Sequence, residues 1–368
     1  MSLAILGLGT AVPATVVTQA DAGRAARALC CRTKEHETWL PVLFGQTGIA
    51  TRHLSFGPEV VRDVLQGTRN SRSVFLPTGK ADDRGPTTGQ RMEHYAQHSV
   101  PLALQAAWRA LDQAETAPAE ITQLITVSCT GFRAPGVDVA LIKRLGLALT
   151  VPRTHVGYMG CHAALNALRV ASAFTGADPG ACVLVCATEL CSLHYHYGWD
   201  PQKMVANALF ADGSAAVVGV APSAAPAGAW RVAANGSCLC PDSEEAMTWS
   251  VGDHGFEMTL SKKVPDLIAT HLRPWLEAWL AANGVGLGQV GSWAVHPGGP
   301  RILEAVEQAL ELDERATAAA REVFAEHGNM SSPTVLFILD RLRRRGAARP
   351  CVALGFGPGL AAEAALFL

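Results

Sequence analysis

The chain is short of charge. Only 17% of its 368 residues are Asp, Glu, Lys or Arg, and the formal net charge is −2. A near-neutral surface argues against a general nucleic-acid binder, which needs a basic face to displace counterions. The one basic run, Arg341 to Arg345, reads as the solvated positive end of a helix. No apolar stretch reaches the roughly 20 unbroken residues of a membrane span. The opening MSLAILGLGTAVP lacks a basic leader and breaks at glycine and proline, so it reads as a strand and turn, not a signal peptide. The expectation is a cytoplasmic protein. Ten cysteines are present without a CxxC pair, which argues against a structural zinc site. The His194-Tyr195-His196-Tyr197 run suggests ligands, but no carboxylate pattern accompanies it, and strand packing is the simpler expectation. Gly7-Leu8-Gly9 is followed by Val12 where a dinucleotide fingerprint needs glycine, and no P-loop lysine occurs.

What remains is a large apolar interior: about half the residues are hydrophobic. Short β-rich runs fall at Leu3 to Leu8, Leu124 to Ser128, Cys182 to Cys186, Ala215 to Val220, Trp293 to Val295 and Val352 to Leu354. Helical spacing fills Gln90 to Leu111, with a possible kink at Pro101, and His162 to Phe174, Val264 to Ala282, Ile302 to Leu310 and Pro333 to Leu342. Alternating strands and helices predict an α/β protein with a sheet covered on both faces. Gln66 to Gln90 reads as a surface excursion, and Ala221 to Ala229 as a linker between an N-terminal half (1–221) and a C-terminal half (222–368). The two halves echo each other at Leu209 to Ala216 and Gly355 to Ala362, as in a duplicated unit with its site at the junction.

Three segments carry chemistry. Glycines precede Cys161, and an apolar-periodic segment (Leu165, Leu168, Ala171, Phe174) follows it, which sets the thiol at a strand-to-helix turn. A helix N-terminus favours the thiolate, the species that attacks an acyl group. Trp293-Ala294-Val295 delivers His296 to the end of a short strand, ahead of Pro297-Gly298-Gly299-Pro300. Asn329 stands before an apolar helix, in Gly328-Asn329-Met330-Ser331-Ser332. Each alone has an ordinary explanation: a buried inert cysteine, a loop histidine, a helix cap. Together they form a nucleophile, a base and donors for a developing oxyanion.

HPGGP, GNMSS followed by VLFILD, and GFGPGL, in this order, resemble the type III polyketide synthases, the chalcone synthase-like enzymes. The Cys161 segment, Val127-Ser128-Cys129-Thr130-Gly131 and ALFADG fit the same pattern. The resemblance implies a thiolase-like layered αβαβα fold of two duplicated halves, assembled as a homodimer. It implies iterative decarboxylative condensation of malonyl-CoA onto an acyl-CoA starter, then cyclisation to an aromatic or pyrone product, with no metal or organic redox cofactor. It casts Cys161 as acyl-accepting nucleophile, with His296 and Asn329 as its partners. It makes Phe210 a gatekeeper and Met258, with Phe256 nearby, a second one. Thr130, Ala134, Cys191 and His194 fall at cavity-shaping positions. Gly298, Gly299, Arg301, Ser331, Phe356 and Gly357 fall at substrate-binding ones.

Plant members grip coenzyme A phosphates with cations near positions that here span Leu40 to Gln46 and carry none. Arg301 and Arg52 are the expected substitutes. A ketoacyl synthase III-like enzyme taking carrier-protein substrates shares the Cys-His-Asn set, but HPGGP and GFGPG favour the type III family. A papain-like protease has the same chain order of residues but would need a CG-x-C-W setting, which is missing. A member that binds acyl groups without turnover would not need all three catalytic types.

Overall fold

The computed structural model describes residues 2–80 and 82–368. Its N-terminal half runs through β1 (Leu3–Ala11), β2 (Thr15–Thr18), α1 (Gln19–Cys30), α2 (Lys34–Gly45), β3 (Thr51–Leu54), α3 (Pro58–Gln66) and α4 (Thr88–Gln113). It continues through β4 (Gln123–Ser128), α5 (Val137–Leu145), β5 (Arg153–Gly157), α6 (Ala163–Ala177), β6 (Cys182–Leu190), α7 (Pro201–Leu209) and β7 (Asp212–Val220). The C-terminal half has β8 (Arg231–Leu239), the hairpin β9 (Met247–Gly252) and β10 (Gly255–Leu260), and α8 (Val264–Ala282). Then come β11 (Ser292–Val295), α9 (Pro300–Leu310), α10 (Ala318–His327), α11 (Pro333–Arg344), β12 (Cys351–Gly357) and β13 (Ala361–Phe367).

The strand order is β11-β12-β13-β8-β1-β7-β6-β4-β5. In the first half β4 runs parallel to β6, and β6, β7 and β1 follow antiparallel. In the second half β11 runs parallel to β12, and β12, β13 and β8 follow antiparallel. The same topology therefore occurs twice, which is the duplicated thiolase-like arrangement. The two runs meet at a short seam, where β1 pairs β8 only at Leu3↔Val232 and Ala4↔Arg231.

Helices α6 and α11 form the middle layer. The first has apolar residues around most of its circumference, and α11 is buried continuously from Pro333 to Asp340. Such all-round burial suits a helix covered by sheet on both sides. Outer layers are α4 and α5 on one half, α8 and α9 on the other. Gly7 and Gly9 allow the closest packing: a Cβ on either would lie 2.2 Å from the Ala110 carbonyl or 2.3 Å from that of Ala106, on α4. The glycines that fail as a nucleotide motif are thus a helix-docking surface.

Two expectations change. His194 to Tyr197 is not strand: Cys191–His194 is a short 3-10 turn leading into a loop, so alternate side chains share no common face. The 66–90 excursion is a loop in its middle, pinned by buried Phe75 and Leu76.

Candidate active site

Cys161 sits in a 3-10 turn, Gly160–His162, between β5 and α6. The turn is forced: Tyr158 has φ 60° and Gly160 φ 71°, both left-handed. Strained non-glycine backbone of this kind concentrates at functional sites. The turn packs on the end of β12. A Cβ at Gly160 would meet Pro358 Cδ at 2.4 Å, and one at Gly357 would meet His162 Cδ2 at 2.5 Å. His162 is buried and bonded through Nδ1 to Asn166 Oδ1 at 2.7 Å.

Asn329 approaches from the loop between α10 and α11. Its backbone pairs with the segment around Phe210: the Asn329 N–H donates to the Leu209 carbonyl at 2.9 Å, and the Ala211 N–H to the Asn329 carbonyl at 2.8 Å. It is not the helix cap. Ser332 holds that position. The Asn329 Oδ1 accepts the Ser331 N–H at 2.8 Å, which leaves Nδ2 as the free end of the amide, 3.4 Å from the Gly298 carbonyl. Ser331 is left-handed, with φ 57°.

His296 follows β11 and is fully buried, and neither ring nitrogen has a protein partner. Its own backbone is held by the Leu354 carbonyl at 2.8 Å. Burial, with a smaller effect of neighbouring His162, drives its pKa down to about 3. Burial likewise pushes the Cys161 thiol up to about 11, against the pull of side-chain hydrogen bonds from Ser331 and Asn329, while the Glu189 charge adds to the rise. The resting pair is thus thiol and neutral imidazole, with no hydrogen bond between them among the described residues. Charge separation requires the two to stabilise each other by proton transfer.

Behind the thiol lies Glu189, a fully buried acid and the one charged residue of its strand. Its carboxylate accepts from the Cys129 and Thr130 N–H groups at 3.0 and 3.1 Å, the Thr130 hydroxyl at 2.6 Å, and the Ser128 and Ser332 hydroxyls at 3.2 and 3.0 Å. Thr130, expected to shape the cavity, therefore spends its hydroxyl on Glu189.

A cavity of about 30 Å³ adjoins these residues through Phe210, whose backbone pairs with Asn329; it is lined by Cys191, His194, Phe210, Trp249, Phe256 and Met258, among others. His194 stacks on Phe256, with centroids 4.2 Å apart, and meets Trp249 edge-on at 5.5 Å. Its Nδ1 accepts the Phe256 N–H at 2.8 Å, so its Nε2–H donates to the Thr130 carbonyl at 2.7 Å. Met258 and Phe256 both face this cavity.

Ala134 and Arg52 stand elsewhere than expected. Ala134 lines a different cavity, of about 670 Å³, beside Phe132 and Tyr158. Arg52 is 3% exposed and donates through Nη1 to the Asn207 and Phe210 carbonyls at 2.7 and 2.9 Å, so it supplies no surface charge for a phosphate. Arg301 is exposed in the first turn of α9. Gly299 precedes that helix, with its Cα hydrogen toward Leu209. Phe356 is buried in β12.

Sequence reasoning missed Glu189 and Trp249. The first was detectable as a lone carboxylate in nine buried strand residues. The second sits on a hairpin whose position depends on tertiary packing, and no local signal marks it.

Residues 2–222 match the family model described as chalcone and stilbene synthases, N-terminal domain, and residues 232–368 match the C-terminal one. The alpha-pyrone synthesis polyketide synthase-like Pks18 of Mycobacterium tuberculosis is 33% identical over 373 residues, covering 99% of this chain and 90% of that protein. The 1,3,6,8-tetrahydroxynaphthalene synthase of Streptomyces peucetius is 32% identical over 364 residues, covering 98% and 91%. The crystal structure of PKS-I from the brown alga Ectocarpus siliculosus superposes with a TM-score of 0.90 at 32% identity, covering 99% and 97%.

Proposed function

The chain belongs to the chalcone and stilbene synthase family and is a type III polyketide synthase, a C–C bond-forming acyltransferase, and from that premise we propose that Cys161, His296 and Asn329 carry its condensation. One observation supports the assignment above others: the Asn329 side chain contacts the Cys161 thiol and also reaches the Gly298 carbonyl, two residues after a buried imidazole with no partner on either nitrogen.

In the cycle, His296 takes the Cys161 proton. The thiolate attacks the carbonyl of an acyl-CoA starter, and coenzyme A leaves as the thiol with that proton. Malonyl-CoA follows. Its carboxylate departs as carbon dioxide, and the electron pair passes to an enolate whose oxygen accepts hydrogen bonds from His296 and from Nδ2 of Asn329. Pre-aimed donors in a desolvated site favour that charge strongly. The enolate carbon attacks the acyl-cysteine carbonyl and returns the Cys161 thiolate. No electrons are gained or lost overall, so the cycle calls for no redox cofactor. The product is aromatic or a pyrone.

The same reading makes the enzyme a cytoplasmic homodimer. Phe132, Tyr158 and Met159 are 70, 44 and 40% exposed, clustered around the turn that leads to Cys161. An apolar patch at that place suits burial against a second copy. Light scattering at micromolar concentration should return twice the monomer mass.

Malonyl-CoA decarboxylation tests the triad. Cys161→Ala should abolish polyketide formation, and full retained turnover would overturn the nucleophile. His296→Gln and Asn329→Ala should each slow starter-free carbon dioxide release by on the order of 10²-fold; unchanged rates would remove them from the reaction.

A further inference from the structure

One row of residues crosses the sheet beside the nucleophile. Val295 of β11 stands opposite Leu354 of β12, and the His296 N–H extends that ladder by donating to the Leu354 carbonyl at 2.8 Å. His296 is therefore the neighbour of Gly355. On its other side Gly355 pairs with Glu363 of β13. Paired residues of adjacent strands point to one face, about 5 Å apart. Between His296 and Glu363 the row lacks a side chain, and His162 fills the gap. A Cβ on Gly355 would stand 3.1 Å from His162 Cβ and 3.2 Å from its Cα. The residue after the nucleophile thus lies between a buried imidazole and a buried carboxylate.

The His162 ring is pinned. Its Nδ1–H donates to Asn166 Oδ1 at 2.7 Å, which leaves Nε2 as a lone pair open to a proton. Glu363 accepts from the Ser237 hydroxyl at 2.8 Å and from Arg169 Nη2 at 3.1 Å. The charged and titratable groups facing His162 are Glu363 from β13, Arg169 from α6 and His296 from the end of β11. From β12 it meets Gly355 and Gly357. Burial lowers the His162 pKa below 6.5, the Asn166 bond and the Glu363 charge pull it up, and Arg169 lowers it further. A charge on His162 in turn disfavours one on His296. When His296 takes the Cys161 proton it becomes a buried cation, and a second cation over Gly355 opposes it.

We propose that His162 is a positioning residue that acts through His296: uncharged, it lets His296 hold the Cys161 proton, and with a solvent proton on Nε2 it denies His296 that charge and keeps Cys161 a thiol. This deepens the condensation reading and rests on His296 as the partner of Cys161. Proton transfer within the Cys161–His296 pair takes nothing from solvent, so thiolate reactivity through the pair is flat in pH until a neighbour charges. His162 is that neighbour, and the acid limb of the profile belongs to it.

The test is alkylation of Cys161 by iodoacetamide in the whole enzyme, read on its own peptide by mass spectrometry, between about pH 5 and pH 8, since the thiolate is the reacting species. Glu363→Gln removes the charge that helps His162 protonate, so the acid limb should move down by about one pH unit. Arg169→Ala removes the charge that hinders it, so the limb should move up, by less because Arg169 is 41% exposed. Both variants break the same ion pair, and a merely structural role would shift both limbs the same way. His162→Phe keeps the bulk and cannot charge, so its limb should lie lowest. His296→Gln should abolish the flat region. If it keeps the wild-type profile, the Cys161–His296 pair is overturned and this inference with it. If His296→Gln loses the flat region while Glu363→Gln and Arg169→Ala keep the wild-type limb or shift it in one direction, the role of His162 alone is overturned.

Discussion

The indole N–H of Trp249 donates to the carbonyl oxygen of Cys129 at 2.7 Å, which fixes a large aromatic ring in the wall of the cavity beside Phe210. The bond ties the β9–β10 hairpin to the strand end that also carries Thr130, and Phe256 completes the wall. A ring held this way limits how many ketide units fold inside. Trp249→Ala should therefore yield products longer by at least one malonyl-derived unit, seen by mass spectrometry of the product mixture. Trp249→Phe keeps an aromatic ring in the wall but removes the N–H, leaving the Cys129 carbonyl without that donor, at a cost of about 1 kcal/mol. Its product length should stay that of the wild type. Equal product profiles for all three proteins would show that Trp249 does not bound the cavity.

His194 makes stability depend on pH. The ring is neutral by construction, since one nitrogen accepts the Phe256 N–H and the other donates to the Thr130 carbonyl. Burial lowers its pKa from 6.5 to about 3. Below pH 6.5 the unfolded chain binds a proton that the folded ring refuses until about pH 3. Stability is therefore lost as pH falls through that window, by up to ~1.4 kcal/mol per unit from this side chain. His194→Gln removes that dependence. The variant should be less stable than the wild type at pH 7, and urea melts should show the gap closing by pH 4. A gap that stays constant across this range would mean that the native ring takes up a proton as readily as the unfolded chain does.

Glu189 is an acceptor that glutamine cannot replace. Both oxygens receive the Cys129 N–H at 3.0 Å, and one also takes the Thr130 hydroxyl at 2.6 Å. In Glu189→Gln one oxygen becomes an NH₂ facing donors. Leaving buried donors unpaired should cost on the order of 3 kcal/mol, read as a lower urea midpoint at unchanged slope. Because Ser332 also bonds Glu189, the Asn329–Ser331 loop should loosen, and condensation should slow more than stability alone explains. A variant as stable as the wild type would deny the carboxylate this anchoring role.

Much of this was readable from local sequence. Strands with unbroken apolar runs, such as β6 and β7, and helices with clear periodicity, such as α8, announce themselves. Strand β13 does not. AAEAALF favours a helix by intrinsic propensity, yet it lies between β12 and β8, and two ladders of backbone hydrogen bonds outweigh that preference. Strand β8 is hidden for another reason: RVAANGSCL is only partly buried and shows no clean alternation. At the proposed site, the segments that carry Cys161, His296 and Asn329 stand out because each is a short motif with its own turn chemistry. Arg52 and Trp249 do not. They approach Phe210 from β3 and β9, and only the assembled fold shows that the first grips its carbonyl while the ring of the second lies 6.3 Å from the Phe210 ring.

Gly357 offers the most direct test of how the nucleophile is held. A methyl group there would stand 2.5 Å from His162 Cδ2, 2.7 Å from its Nε2 and 2.8 Å from the Met159 carbonyl. The imidazole cannot yield freely, because it is buried and bonded to Asn166. The carbonyl belongs to the residue before the left-handed Gly160, so it cannot shift without moving the turn that carries Cys161. Gly357→Ala should therefore displace the thiol from Asn329 and Ser331. Alkylation of Cys161 and polyketide formation should both change, with condensation down by on the order of 10²-fold, as misplacement by an ångström costs. Restoring room opposite, in Gly357→Ala combined with His162→Ala, should recover part of the rate by relieving the clash. A single variant with wild-type turnover would mean that the Cys161 turn does not depend on this contact.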